Sequence, residues 1–278
     1  MKSNYLLLVV LLVAISSCSK ETQEPEKKWY KGNLHTHSYW SDGDEFPEVI
    51  MDYYKSNNYD FVALTEHNIL AQGEKWKAIR EDSIYQAAFQ NYLSEYGEDW
   101  VNWRETEGKI EVKLKTYDEY RSLYEEKEEF LILLSEEITD GYDGKPIHMN
   151  ANNVQTFLEP QHGNSVVDVM QNNIDAVWEQ REETGEPVMI HINHPYFYYA
   201  ITWQEMAQLE GERFFEVYNG HSSVHNSGDD EHLSTEYMWD LINISYLEDG
   251  KPMMLGLATD DSHSYHQFGN NFANAGRG

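Results

Sequence analysis

From Trp29 onward, short apolar runs alternate with longer amphipathic stretches. Phe61–Thr65 reads as a strand, and so do Phe130–Leu134, Pro146–Ala151, Pro187–Ile192, Phe214–Tyr218 and Pro252–Ala258, with a further strand over Trp29–Leu34. Runs of this length, rich in β-branched and aromatic residues, fit buried strands better than helices. Between them the spacing predicts helices. One covers Phe46–Ser56, entered at Pro47. A second covers Val166–Glu183, where Val167, Met170, Ile174, Val177 and Trp178 share a face, and a third covers Ser234–Leu247, with Met238, Leu241, Ile242 and Ser245 inward. Strands alternating with helices argue for an α/β fold on a parallel sheet, open or closed into a barrel. In either form function collects at the carboxyl ends of the strands.

Leu70–Glu129 interrupts the alternation with a charged, aromatic-rich insertion. Tyr85, Phe89, Tyr92 and Tyr96 are spaced i, i+4, i+7, i+11, and Tyr117, Tyr120 and Tyr124 are spaced i, i+3, i+7. Both are helix stripes. Periodic aromatics are first a packing signal. Because the insertion leaves and rejoins the chain beside strand ends, it is also expected to wall a substrate site and control substrate choice.

The strand ends carry the chemistry. NLHTHSYWSDG places His35 and His37 two residues apart, with Asp42 five further on; in extended chain the two imidazoles share a face and can address one ion. A Gly-containing turn brings Asp42 back toward the same opening. His67 follows FVALT, Glu136 and Glu137 follow LILL, and His148 sits in PIHMNANN. HINHP supplies His191 and His194, and ATDDSHS supplies Asp260, Asp261 and His263. One such histidine is ordinary; several segments agreeing in position and residue type point to a metal centre. Imidazole with carboxylate and no thiolate suits zinc, manganese or iron. His191, three residues before His194, is expected on the opposite face of its strand in a structural role. His162, His221, His225, His232 and His266 read as loop residues. Glu216, Tyr218 and Asn219 should line the mouth or pack at a strand end.

Composition narrows the partners. The chain has 278 residues, and its 20 Lys and Arg against 49 Asp and Glu give a net charge of −29. Nucleic acid and anionic lipid surfaces are thereby disfavoured. Residues 1–17, with Lys2 and the apolar run Tyr5–Ile15, read as a signal peptide too short for a permanent span. Ile15-Ser16-Ser17-Cys18 resembles a bacterial lipobox, so Cys18, the one cysteine, is expected to be lipidated and to begin the mature chain. Residues 18–28 would form a tether, 29–278 a single catalytic domain, and the protein would sit lipid-anchored in the cell envelope.

The series HTHSYWSDG, TEH, EEIT with a following His, HINHP and DDSH resembles the motifs of the PHP (polymerase and histidinol phosphatase) family over nearly all of 29–278 outside the insertion. The resemblance implies a distorted (β/α)7 barrel, here with a helical insertion, holding two to three divalent metals, and a hydrolase of phosphate esters that uses a metal-bridging hydroxide. It implies nine ligands: His35, His37, Asp42, His67, Glu137, His148, His194, Asp261 and His263. His35, His37, Glu137 and Asp261 would hold one metal. Glu137, as a bridge, would hold a second with His148 and His194, and Asp42, His67 and His263 would hold a third. Glu137, Asp261 and His263 would be central to catalysis, with Glu136 and Asp260 left as supporting or surface carboxylates. Family members often continue beyond the last motif, so an end at Gly278 reads as a truncation.

Two other functions fit parts of the pattern. A hydrolase of carboxylic esters, carbamates or amides would use the same metals, since an activated water also attacks carbonyl carbon. A non-catalytic, ligand-binding lipoprotein would need no more than about four ligands for a structural ion, which nine candidates exceed. The expected substrate is a small-molecule phosphate ester. His191, His266 and Asp260 are the nearest candidates for a proton donor, and Arg277, Arg213 and Lys145 for phosphate-binding cations.

Overall fold

The computed structural model describes residues 27–278; the signal peptide, Cys18 and nearly all of the tether lie outside the described residues. Ten strands and six helices follow one another as β1 (Gly32–Asn33), α1 (Pro47–Ser56), β2 (Phe61–His67), β3 (Trp76–Ala78), α2 (Ser83–Tyr96), β4 (Trp103–Thr106), β5 (Lys109–Lys113), α3 (Tyr117–Tyr124), β6 (Leu131–Tyr142), β7 (Lys145–Asn152), α4 (Val166–Thr184), β8 (Met189–Ile192), α5 (Trp203–Met206), β9 (Phe214–Asn219), α6 (Thr235–Glu248) and β10 (Leu255–Thr259). Among these residues no helix is long and apolar enough to cross a membrane.

Seven strands make one sheet in the order β1-β2-β6-β7-β8-β9-β10. Its two edges meet: the Asp261 N–H donates to the His35 carbonyl and the His37 N–H to the Ser262 carbonyl, each at 2.9 Å. The sheet is therefore a nearly closed seven-stranded barrel, and the closing bonds lie between two candidate ligand segments. The strand expected over Trp29–Leu34 shrinks to Gly32–Asn33, because Trp29 and Tyr30 are exposed and pair with nothing regular.

The sheet is not all parallel. β7 runs antiparallel to both β6 and β8. The cause is local: Tyr142 pairs with Lys145 across Asp143 and Gly144, both at positive φ, so a two-residue hairpin replaces the crossover helix. The reversal puts the amino-terminal half of β7, with His148, at the end of the barrel where the parallel strands finish.

Alternation along the strands runs polar inward and apolar outward. On β6 Ile132 and Ile138 face the helices while Glu137 faces the axis; on β7 Ile147 and Met149 alternate with His148 and Asn150. The apolar faces pack under α1, α3, α4 and α6, and the axis holds a buried polar column. The region expected as a helical insertion is mixed. A three-stranded antiparallel sheet, β3-β5-β4, accompanies α2, its hairpin turning at Glu107 and Gly108, both at positive φ. α3 packs on α1 as the ordinary crossover helix between β2 and β6.

Candidate metal centre

All nine predicted ligands gather at one end of the barrel. His35 and His37 leave β1, and both turn Nε2 toward Glu137 Oε2, at 3.5 and 3.3 Å, and toward Asp261 Oδ1, at 3.2 and 3.3 Å. Ligands about 2.0–2.2 Å from a tetrahedral ion lie about 3.3–3.6 Å apart, so these four atoms surround a space of ion size. His35 Nε2, His37 Nε2 and Glu137 Oε2 are buried and make no hydrogen bond. Buried polar atoms are nearly always paired, and of those left unpaired among the described residues these three converge on one point. The residues fit a divalent cation.

The other two predicted sets are also close. Glu137 Oε1 lies 3.0 Å from His148 Nδ1 and 3.3 Å from His194 Nε2. Asp42 Oδ1 lies 3.5 Å from His67 Nε2 and 3.4 Å from His263 Nε2. The partition is less clean than the resemblance implies. His67 also reaches Glu137 Oε2 through Nδ1 at 2.9 Å, His37 Nδ1 faces Asp42 at 3.8 Å, and His194 groups with His35 and Asp261. Glu137 belongs to two of the three predicted sets and reaches the third only through His67.

Local structure explains the placement. Asp261 sits at φ 48°, a left-handed conformation that Asp tolerates better than most residues. It turns the chain off β10 so that its carboxylate enters the barrel while its N–H closes it. Gly43 lies against the His37 backbone, where a Cβ would come within 2.5 Å of it. That close approach lets the loop return Asp42 to the opening. Behind the loop the buried Glu66 carboxylate accepts from the Ser38 N–H at 3.0 Å and from the Ser38 and Ser41 hydroxyls.

Charge follows the geometry. Burial works against the ionised form of Glu137, yet His67, His35 and His148 hold its carboxyl well below the usual range. Asp261 behaves likewise, with burial overcome by His35, His37 and His263. Burial, reinforced by the neighbouring His263, lowers His37 to about 3, keeping it the neutral imidazole that a cation requires. Burial also opposes charge on His67, but Glu137 and Asp42 raise it to about 11.

Glu216 belongs to the site in a way its sequence position did not disclose. It is fully buried below the mouth: Oε1 accepts from His35 Nδ1 at 2.6 Å and from the Thr259 hydroxyl at 2.7 Å, and Oε2 accepts from the His194 N–H at 2.7 Å and Asn219 Nδ2 at 2.8 Å. It fixes the His35 tautomer so that Nε2 is left for an ion. The available signal was register, since Glu216 shares the inward face with strand-end ligands. Tyr218, by contrast, is partly exposed, and Asn219 is buried against Asp261.

Several expectations change. His191 is not on the opposite face from His194: it points into the barrel one layer down, 3.5 Å from Glu216 Oε1, because β8 ends at Ile192 and the chain bends before His194. Glu136 faces the other side of β6 from Glu137 and is buried, not at the surface; burial raises its carboxyl to about 8. Asp260 is buried as well, accepting from the Tyr54 hydroxyl and the backbone N–H groups of residues 276, 277 and 278. His266 is held by the Asp44 carbonyl, so the three proposed proton donors all lie off the cleft. Arg213 borders a cavity with Pro187 and Phe214, at the far end of the barrel, and Arg277 binds the Phe272 carbonyl. Of the three candidate cations only Lys145 lines a cleft that also includes a predicted ligand, His148.

The cleft over the ligands has a volume of about 360 Å³ and is walled by Thr139, Phe197 and His221. His148 and Phe197 also line a second cleft of about 550 Å³, beside Lys145 and Tyr198. The insertion supplies no wall residue to either. Its α2 aromatics Tyr85, Phe89 and Tyr92 are buried, while Trp103 stays exposed; Tyr92 stacks on Phe46 at 3.9 Å and donates to Glu48, and Trp100 donates to the same carboxylate.

No protein-family model and no curated protein matches the chain in sequence. Solved structures similar to it include a two-domain protein from Bacteroides vulgatus, described as containing a predicted PHP-like metal-dependent phosphoesterase, at 19% identity and TM-score 0.47; the match covers 84% of this chain and 52% of that one. The chain thus spans about half that protein's length. A candidate metal-dependent phosphoesterase from Bifidobacterium adolescentis matches at 12% identity and TM-score 0.44, covering 90% and 92% of the two chains. An amidohydrolase from Chromobacterium violaceum, with bound sulfate and no metal, matches at 11% identity and TM-score 0.39, covering 84% and 88%.

Proposed function

We propose that this chain is a metal-dependent hydrolase of phosphate esters, of the PHP type that its motif series resembles, holding two to three divalent ions of manganese, iron or zinc. The observation that supports it most is the convergence of orphaned buried nitrogen and oxygen atoms from His35, His37 and Glu137, with Asp261, at separations that suit one ion. Further imidazoles and carboxylates adjoin this set on both sides.

Such ions, when bound, polarise phosphoryl oxygens and lower the pKa of coordinated water. The protein's part is to hold the donors still. Glu216 orients His35, and the Asp261 carbonyl accepts from His263 Nδ1 at 3.0 Å. Asn193 donates to Glu137 Oε1 at 2.8 Å and to Asn150 Oδ1 at 2.9 Å, which fixes the shared carboxylate. Three divalent ions against Asp42, Glu137, Asp261 and Glu216 leave a net charge of about +2 within the barrel end, enough to favour an oxyanion despite the acidic surface. Phe197 and the second cleft would receive the alcohol portion of the ester.

The test is a panel of phosphate monoesters and diesters beside carboxylic esters, carbamates and amides, run with each metal. Phosphate release is expected; carbonyl cleavage in its place would overturn the choice of reaction. We further propose that the protein is lipid-anchored in the envelope through Cys18. Cys18→Ala should release it from the membrane fraction, and an unchanged fraction would contradict the anchor.

A further inference from the structure

Hydrogen bonds at Nδ1 sort the imidazoles around the cleft into two kinds. His35 Nδ1 faces Glu216 Oε1 at 2.6 Å, and His263 Nδ1 faces the Asp261 carbonyl at 3.0 Å. A carbonyl cannot donate, and the ionised Glu216 cannot either, so both rings carry a proton on Nδ1, which leaves Nε2 as the nitrogen for an ion. His221 is the reverse. The backbone N–H of Ser223 points at its Nδ1 at 3.1 Å, and a backbone N–H only donates. Neutral His221 therefore carries its proton on Nε2 and has no lone pair there for an ion.

Its position gives that proton a use. His221 walls the cleft beside Asp261 and His263, its ring 5.2 Å from that of His263 and 6.1 Å from that of Phe197. With Nδ1 turned back to its own loop, the edge left for the cleft is Nε2–H. Among the described residues no side chain or backbone oxygen accepts a hydrogen bond from it. Its backbone is tied to the same network as the ligands: the His221 backbone N–H donates to Asn219 Oδ1 at 2.8 Å, while Asn219 Nδ2 donates to Glu216 and to Asp261 Oδ2, the latter at 3.0 Å. Among the described residues no lysine or arginine lines this cleft, so an oxyanion seated there needs its hydrogen-bond donors from elsewhere.

We propose that His221 is a catalytic residue, a fixed neutral donor whose Nε2–H bonds to an oxygen of the bound phosphate group. This rests on the phosphoesterase reading of the cleft. It predicts an effect on the transition state without loss of metal, because His221 donates to the substrate and binds no ion.

The full chain, reconstituted with manganese or zinc, is compared with His221→Ala and His221→Gln. His221→Ala should lower kcat on p-nitrophenyl phosphate by about 10²–10³-fold, weaken binding of inorganic phosphate at least about tenfold, and leave metal content unchanged. His221→Gln, which retains an N–H donor near the position of Nε2, should recover part of both losses. Nitrogen-15 NMR of the metal-free chain should show the His221 proton on Nε2. A proton on Nδ1, loss of metal in His221→Ala, or unchanged kcat and phosphate affinity would each overturn the assignment. If the wild-type chain releases phosphate from no ester, the phosphoesterase reading fails separately, and the NMR and phosphate-binding measurements still decide the case of His221.

Discussion

Glu136 and Glu137 are adjacent in sequence and opposite in environment, so replacing each by Gln should move the protein in opposite directions. Glu137 Oε1 meets His148, His194 and Asn193 within 2.8–3.3 Å, and Oε2 meets His67 at 2.9 Å and His37 at 3.3 Å. Its carboxyl is held well below the ordinary range. Its contribution is therefore present above the unfolded pKa of about 4.5 and lost only as pH falls through the lower, folded value. Removing one partner of a buried charged cluster costs about 3–5 kcal/mol, so metal-free Glu137→Gln should lose that much at pH 7. Removing groups that merely orient a ligand weakens metal binding about 10–100-fold, and a shared carboxylate should exceed the upper figure. Glu136 shows the other sign. Its folded pKa of about 8 lies above the unfolded value, so the folded state binds the extra proton, and stability falls as pH rises from about 4.5 to 8. Glu136→Gln should abolish that slope, raising stability at pH 8 on the order of a few kcal/mol, with metal content and turnover intact. Urea denaturation of chelated protein at pH 5, 7 and 8, paired with elemental analysis of the reconstituted variants, measures both. Metal loss in Glu136→Gln with Glu137→Gln unaffected would refute the assignment of inner and outer faces on β6.

Three further outcomes follow from single contacts. Glu216→Gln should loosen His35 and weaken metal binding about 10–100-fold in a chelator competition; unchanged affinity would leave Glu216 a packing residue. Phe197→Ala should raise KM for esters of bulky aryl alcohols more than for methyl phosphate, with metal content constant, since Phe197 lines both clefts; an equal rise for both would remove it from substrate selection. Tyr92→Phe deletes the 2.7 Å bond that ties the insertion to Glu48 on α1, and should cost about 1–2 kcal/mol in denaturation with kcat and KM unchanged; a change in substrate preference would restore the insertion to the cleft.

Helix bounds were close to legible: periodicity predicted Val166–Glu183 and Ser234–Leu247, and the helices run Val166–Thr184 and Thr235–Glu248. The ligand segments were legible too, because each pairs a short apolar run with histidine or carboxylate at its end. What escaped depends on pairing between distant segments. The reversed β7 had a signal, the Asp143-Gly144 dipeptide, but reading it requires accepting a hairpin inside an otherwise alternating pattern. Glu216 was placed at the strand end but its hold on His35 was not, and His191 was put on the wrong face, because alternation says which residues share a face but not where β8 bends or that this barrel keeps its polar face inward. For His221 no spacing could reveal a tautomer set by the Ser223 backbone. The aromatic stripes of the insertion were real helix faces, and their destination was Phe46 and Glu48 instead of the opening.

The claim that nine side chains from separate strand ends form a centre for two to three ions is tested most directly by elemental analysis of the full chain purified without chelator, read beside phosphate release. Two to three equivalents of manganese, iron or zinc per chain are expected, with phosphate release lost on chelation and recovered on adding metal back. One equivalent or less after reconstitution, or phosphate release that survives complete removal of metal, would contradict it.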